Sequence, residues 1–255
     1  MRIVVAMKAV PDLVEEFEIN DDETDVDREY LKYVLSEWDD QALEEALLYK
    51  ESAGAEVVAV GLADDLDIDQ SLYTALAKGA DKAVMIEGGS GASTRARAAT
   101  LAAYLAQEPA DLVLTGVQSV DDMDGQLPSA LGAMLGQPHV SVVANVAASD
   151  GGVTVRQEYA GGVAAEIGVA LPAVVGIQAA HQAPRYAPIT KIRQMMQSGA
   201  LETVSVSPAA AETGLTVRKM RIPEAAGHAE MLTGSVDDVA GAIVELLRAR
   251  GLVKG

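Results

Sequence analysis

Residues 110–139 read ADLVLTGVQSVDDMDGQLPSALGAMLGQPH, and they join a strand, a loop and the start of a helix. The apolar run Asp111–Thr115 reads as a buried parallel strand, ended by Gly116. A loop bearing Asp, Gly and Ser follows to Gly125. From Leu127 the apolar residues Leu127, Leu131, Met134 and Leu135 recur at helical spacing, with Pro128 in the first turn and Gly136 as the stop. This layout sets free backbone N–H groups and a positive helix end where a phosphate could sit. In an open α/β sheet, such loops lie at the ligand-binding edge. Two readings stand: a nucleotide-binding loop, or an Asp-rich turn whose acids merely cap the helix. Asp121, Asp122 and Asp124 weigh against a bare polyphosphate unless their side chains turn away. A calcium loop needs a longer alternation of acids ending in Glu, which is absent.

The flanking sequence repeats the same alternation. Ile3–Met7, Glu56–Leu62 and Lys82–Ile86 read as buried strands, and Asp39–Ser52, Asp69–Lys78 and Arg95–Gln107 as helices. Strands alternating with helices predict an α/β fold: a doubly wound, mostly parallel, Rossmann-like sheet of the adenine-nucleotide-binding type. Pro11 and Asp12 mark a turn, Glu15–Asp27 an acid-rich surface loop or hairpin, and Ser36 or Asp39 a helix cap. The glycine run Gly88–Thr94 (GGSGAST) fits neither the dinucleotide fingerprint nor the Walker pattern. It reads as a flexible loop capped by Ser93 or Thr94. No GxGxxG follows the first strand, and there is no SGGxDS-type loop of an ATP pyrophosphatase.

Beyond residue 139 the texture changes. Val140–Ala147, Val153–Tyr159 and Val163–Val169, separated by Gly-rich turns, predict a small antiparallel β-meander over about 140–170. Leu171–Ile177 and Leu201–Val206 are further strands, and between them 182–198 is polar and basic. Residues 1–207 are therefore expected to form the nucleotide-binding α/β domain. Residues 208–255 form a C-terminal arm, with a linker at Pro208–Thr216 and an amphipathic helix from Val236 to Arg250 that docks on its own domain or on a partner.

Composition narrows the function classes. The 255 residues carry a net charge of −19, which disfavours nucleic acid and anionic membrane surfaces as partners. The absence of cysteine excludes disulfides, thiolate metal sites and a Cys nucleophile. No run approaches a membrane span, and MRIVVAMK reads as a strand and not as a leader, so a cytoplasmic protein without membrane insertion is expected. His139, His181 and His228 lack ligand spacing and read as surface or capping residues, so no metal site is expected. No GxSxG elbow occurs. Glu44 and Glu45 read as solvated or paired with neighbouring positive charge, and Trp38 as a gap-filler at the helix start or a stacking surface. No catalytic residue is expected.

Five ordered stretches stand out together: Val5–Asp12; Ser36–Asp40 with Ala42–Ala46; Ala75–Asp81; Gly116–Asp122 with Gly125–Gln126; and Leu171–Val175 with Pro184–Ala187. Through them the chain resembles, almost end to end, the β subunits of electron-transfer flavoproteins. The resemblance implies a non-catalytic subunit of an αβ heterodimer that carries electrons from dehydrogenases, acyl-CoA dehydrogenases among them, to a quinone oxidoreductase or similar acceptor. It implies FAD held mainly by the α subunit and a structural AMP in this subunit. A bifurcating complex with a second FAD in place of AMP is one alternative. A stand-alone adenine-nucleotide enzyme or sensor is the other.

Carried over residue by residue, the nucleotide positions are Ala6, Ser36, Glu37, Trp38, Asp39, Leu62, Gly116, Val117, Gln118, Ser119, Val120, Asp121, Asp122, Met123, Asp124, Gly125, Gln126 and Leu127. Amides of 122–127 would hold the phosphate, leaving the Asp side chains to face ribose or solvent. Ala6 and Leu62 would wall the adenine, and Leu13 would lie near the flavin. Pro184, Arg185, Tyr186 and Ile189 fall in the dehydrogenase-gripping loop, with Ile189 as its apolar anchor. A plain turn stabilised by a local hydrogen bond is the alternative for Arg185 and Tyr186. Ser36-Glu37-Trp38 replaces the family's commoner Asn-Pro-Tyr/Phe type of segment, while Asp122-Met123-Asp124-Gly125 and Arg95-Ala96-Arg97 depart from the bifurcating wording and lean towards AMP. Gln194–Ser198 stands where many members carry lysines, which suggests a different dehydrogenase partner.

Overall fold

A computed structural model describes residues 1–255 except 15, 30, 123, 210–215, 224–226, 228, 230, 254 and 255. Met123, His228 and most of the expected linker at 208–216 thus lie outside the described residues. The chain divides into two units, Met1–Arg218 and Lys219–Gly255.

The first unit is built on a nine-stranded sheet. In chain order its strands are β1 (Arg2–Ala6), β4 (Glu56–Leu62), β5 (Lys82–Glu87), β6 (Leu112–Gly116), β7 (His139–Ser149), β8 (Gly152–Glu158), β9 (Ala164–Ala170), β10 (Ala173–Ile177) and β11 (Leu201–Ser205). Across the sheet they run β11-β5-β4-β1-β6-β10-β7-β8-β9. Every pairing from β11 to β7 is parallel, and β7-β8-β9 is the antiparallel meander. The chain moves outward from β1 through β4 and β5, then returns to lay β6 on the other side of β1. The crevice beyond Ala6 and Gly116 is therefore the switch point at which such sheets bind ligands.

Strand alternation separates two cores. Ile3, Val5, Leu112 and Leu114 face α1 (Glu37–Ala53) and α2 (Ile68–Lys78). Val4, Ala6 and Val113 face α3 (Thr94–Gln107) and α4 (Leu127–Leu135) through Leu101, Tyr104, Leu105 and Leu131. Both faces being covered explains why β1, β4 and β6 read as continuous apolar runs.

Three local features differ from the sequence expectation, and one expected cap is decided between its two candidates. A two-stranded antiparallel ribbon joins β2 (Ala9–Pro11) to β3 (Tyr33–Leu35), where the sequence suggested only a turn. Three-residue strands leave too little periodicity to read. Residues 189–198 form a helix, α5 (Ile189–Ser198), inside the segment read only as polar and basic, with Gly199 left-handed at its end. Ser93, of the two cap candidates, accepts from the Ala96 amide and caps α3. Ser36 sits at the N-cap position of α1, but its side chain makes no cap bond, and its hydroxyl is buried without a partner.

Helix α1 also carries acids into the interior. Glu44 and Glu45 are buried, and of the two expectations it is pairing with a positive charge, not solvation, that Glu44 meets. Glu45 accepts from the Val146 amide at 2.6 Å, the His181 amide at 3.1 Å and the His181 ring at 2.8 Å. Glu44 is gripped by the Arg185 amide and guanidinium at 2.8–3.0 Å, and Gln41 accepts from the Ala180 amide. Together they strap β7 and the segment after β10 to α1. His139 and His181 lie on the surface, as expected.

In the second unit, α6 (Val236–Ala249) opens with a reciprocal capping box between Ser235 and Asp238. Among the described residues no helix is long and apolar enough to cross a membrane.

Truncating Glu45 to Ala leaves the buried amide of Val146 and the part-buried amide of His181 without their acceptor. The expected loss is about 3 kcal/mol of unfolding free energy, read as a lowered urea midpoint. Glu51→Ala, at an exposed ion pair, is expected to shift it by less than about 1 kcal/mol.

Candidate functional site

The carboxyl ends of β1, β4 and β6, the 116–127 turn and the face of α3 enclose an open cleft of about 460 Å³. Its lining includes Ala6, Asp39, Leu62, Gly116, Val117, Gln118, Ser119, Asp122, Gly125, Gln126 and Leu127, all singled out from sequence. Residues far apart in the chain converge here because parallel strands all deliver their carboxyl ends to one edge.

The floor of the cleft is held by Asp39. This side chain is 6 % exposed, and its two oxygens accept the amides of Lys8, just beyond β1, and Gly116, the last residue of β6, each at 2.9 Å. Asp39 is therefore not a cap but a bridge between the two central strands. Burial pushes its carboxyl up to about 7, against the opposing pull of the Gly116 amide, Arg97 and Lys8. Gly116 is needed for this approach: a Cβ there would sit 2.6 Å from the Asp39 carboxylate and 2.7 Å from Trp38 Cβ. Trp38 thus packs its Cβ and backbone against the strand end, and it does not line the cleft.

Two of the three loop acids are taken by protein partners. Lys8 Nζ meets Asp121 Oδ1 at 2.6 Å and Ser119 Oγ at 3.2 Å, and the Ser119 hydroxyl donates to the same Asp121 oxygen. Burial pushes the Asp121 carboxyl up, but Lys8 and Ser119 outweigh it and hold it below the usual carboxylate range. The Thr94 hydroxyl donates to Asp122, tying the start of α3 to the loop, while Asp124 is exposed. The repulsion that three acids would present to a phosphate is thereby reduced. Past Gly125, which has φ +64°, Gln126 and Leu127 open α4, whose first-turn amides have no intrahelical acceptor. Ser36, Glu37, Val120, Asp121 and Asp124 are outside the lining, and Leu13 stands on the turn after β2, 66 % exposed.

Four lining residues escaped the sequence reading: Met7, Lys8, Arg97 and Leu101. Lys8 follows directly on the first strand, a position that could have flagged it. Arg97 is a cation spaced i, i+4 from Leu101 on a buried helix face, an anomaly that the pattern of α3 does contain. Its guanidinium makes a fork to Asp65, at 2.8 Å from Nη1 and 2.6 Å from Nη2.

The sequence matches the family described as "Electron transfer flavoprotein domain" over residues 24–210. It is 35% identical over 260 residues to the electron transfer flavoprotein subunit beta of Methylophilus methylotrophus, covering 97% of this chain and 98% of that one. The chain belongs to the electron transfer flavoprotein β-subunit family. It is also similar to the caffeyl-CoA reductase-Etf complex subunit CarD of Acetobacterium woodii, at 31% identity over 99% of this chain and 100% of that one. The electron transfer flavoprotein subunit beta of Syntrophomonas wolfei matches at 29% over 88% and 87%. A large, mostly parallel sheet flanked by helices is the architecture expected of this flavoprotein family, and the expected resemblance thus stands.

Replacing Gly116 by Ala forces its Cβ against Asp39 and Trp38, with an expected cost of about 1–3 kcal/mol, read from the denaturant midpoint. The raised Asp39 pKa has a defined sign. Its contribution to stability is fully present below the unfolded pKa of about 3.9 and is lost as pH rises through about 7. Between about pH 4 and pH 7, wild-type stability should therefore fall relative to that of Asp39→Asn, measured by urea unfolding of nucleotide-free protein.

Proposed function

We propose that this chain is the β subunit of a heterodimeric electron-transfer flavoprotein, holding a structural AMP in the cleft at the ends of β1 and β6. FAD is held mainly by the α subunit, and the complex passes electrons from dehydrogenases to a quinone oxidoreductase or similar acceptor in the cytoplasm. The observation that carries the reading is the convergence of Ala6, Leu62 and the 116–127 turn on one open cleft at the switch point of the sheet.

The residues present fit an adenine mononucleotide. Ala6, Leu62 and Leu101 offer apolar walls to a base. The open amides at the start of α4 suit a phosphate, and the glycine at 116 lets the backbone reach the cleft floor. Bound FAD would supply the redox chemistry of the complex. The work of this chain is to bind, to orient and to exclude water, and Leu13, exposed beside Asp12, is the residue offered towards the flavin.

Dehydrogenase recognition is assigned to 184–192. Arg185 does not point outward: it is fastened to Glu44 and Glu51, so it holds the segment through a helix distant in sequence and not through a local hydrogen bond. Tyr186 at 79 % and Ile189 at 60 % exposure flank buried Ala187 and are the groups presented. The C-terminal helix α6 is assigned to docking on the α subunit.

The test is to co-express this chain with its α subunit, denature the purified complex and identify the released nucleotides by chromatography. One FAD and one AMP per heterodimer are expected. Two FAD without AMP would replace this reading by the bifurcating one, and a nucleotide-free monomer would overturn it. Ile189→Ala is expected to slow reduction by a cognate dehydrogenase about tenfold or more, with nucleotide content unchanged.

A further inference from the structure

We propose that Arg97, held in place by Asp65, is the side-chain counter-charge for the phosphate of a nucleoside monophosphate in this cleft. The inference rests on the reading of the cleft as an adenine-nucleotide site and names a ligand group that the loop sequence did not. Arg97 lies in the first turn of α3, lines the cleft and is only 6 % exposed. One residue from the α3 cap, Thr94 binds Asp122, so the start of α3 stands beside the 122–127 turn that opens α4. Two helix N-termini and a buried guanidinium thus edge the same space.

Charge balance gives Arg97 this task. Asp39 and Asp122 both line the cleft, so a phosphate there requires a cation. Lys8 is the other candidate, but with bonds to Asp121 and Ser119 its ammonium keeps one N–H donor, where Arg97 keeps three beyond its fork. Asp65 takes one bond from each terminal nitrogen of Arg97. A guanidinium carries five N–H donors, so the fork fixes its plane while leaving donors for a second acceptor. The loop over it is packed tightly, since a Cβ on Gly91 would lie 2.5 Å from Arg97 Nη2. The side chain is therefore preorganised, and a ligand that meets it loses little to ordering.

The full-length chain, co-expressed with the α subunit and stripped of nucleotide, is titrated calorimetrically with AMP and, separately, with adenosine. Because Arg97→Gln alone would strand the Asp65 carboxylate, it is combined with Asp65→Asn. The AMP Kd of this pair is expected to rise about tenfold or more, with the adenosine Kd within about twofold of wild type. Arg97→Lys should keep more of the preference for AMP over adenosine than the double variant does. Asp65→Asn alone keeps the cation and should keep that preference, which decides the matter if the double variant does not assemble. Equal losses for AMP and adenosine would make the ion pair merely structural and overturn the proposal, as would an unchanged AMP Kd. A wild-type complex that binds neither nucleoside nor nucleotide would instead overturn the reading of the cleft itself.

Discussion

The two hydrogen bonds to the buried Asp39 carboxylate hold this structure to its purpose. Parallel strands bring their carboxyl ends to one edge but leave their last amides without a ladder partner. Asp39 satisfies one such group beyond β1 and another at the end of β6, and it does so from the first turn of α1. Helix, strands and the floor of the cleft are thereby fixed to one another by a single side chain. The cost is a charge taken out of water, visible in a carboxyl pushed up to about 7.

The same helix organises the far side of the sheet. Gln41, Glu44 and Glu45 receive amides or cations from residues 146–185, so one amphipathic segment ties both the cleft and the segment after β10 to the core. Buried acids of this kind are tolerated because each finds several donors. A pair merely exposed on the helix surface would contribute little. Preorganisation is the common consequence. Tyr186 and Ile189 are displayed from a segment that is already fastened, and Arg97 is held by Asp65 before any ligand arrives.

Electrostatics around the cleft follow from pairing and not from composition. A chain of net charge −19 with three acids in one loop looks hostile to phosphate. Lys8 and Thr94 nevertheless occupy two of those acids, and the backbone amides at the start of α4 remain available. Local field and global charge are separate quantities here.

The periodicity of the chain by itself determined the βα alternation, the meander and the placement of the 116–127 turn, because two-sided burial writes long apolar runs and glycine stops into the sequence. The resemblance of five ordered stretches pointed to the family for the same reason: strand ends and turns at a binding edge admit few residues. Short elements such as β2 and β3 were not legible, since three residues show no period. Nor were the roles of Asp39 and Arg97 legible, nor which cation Glu44 pairs with, for a carboxylate or guanidinium on a helix looks the same whether it faces water or a partner far along the chain. Only the tertiary structure decided those pairings, because burial and the nearest donor are properties of where the chain returns, not of the residue itself.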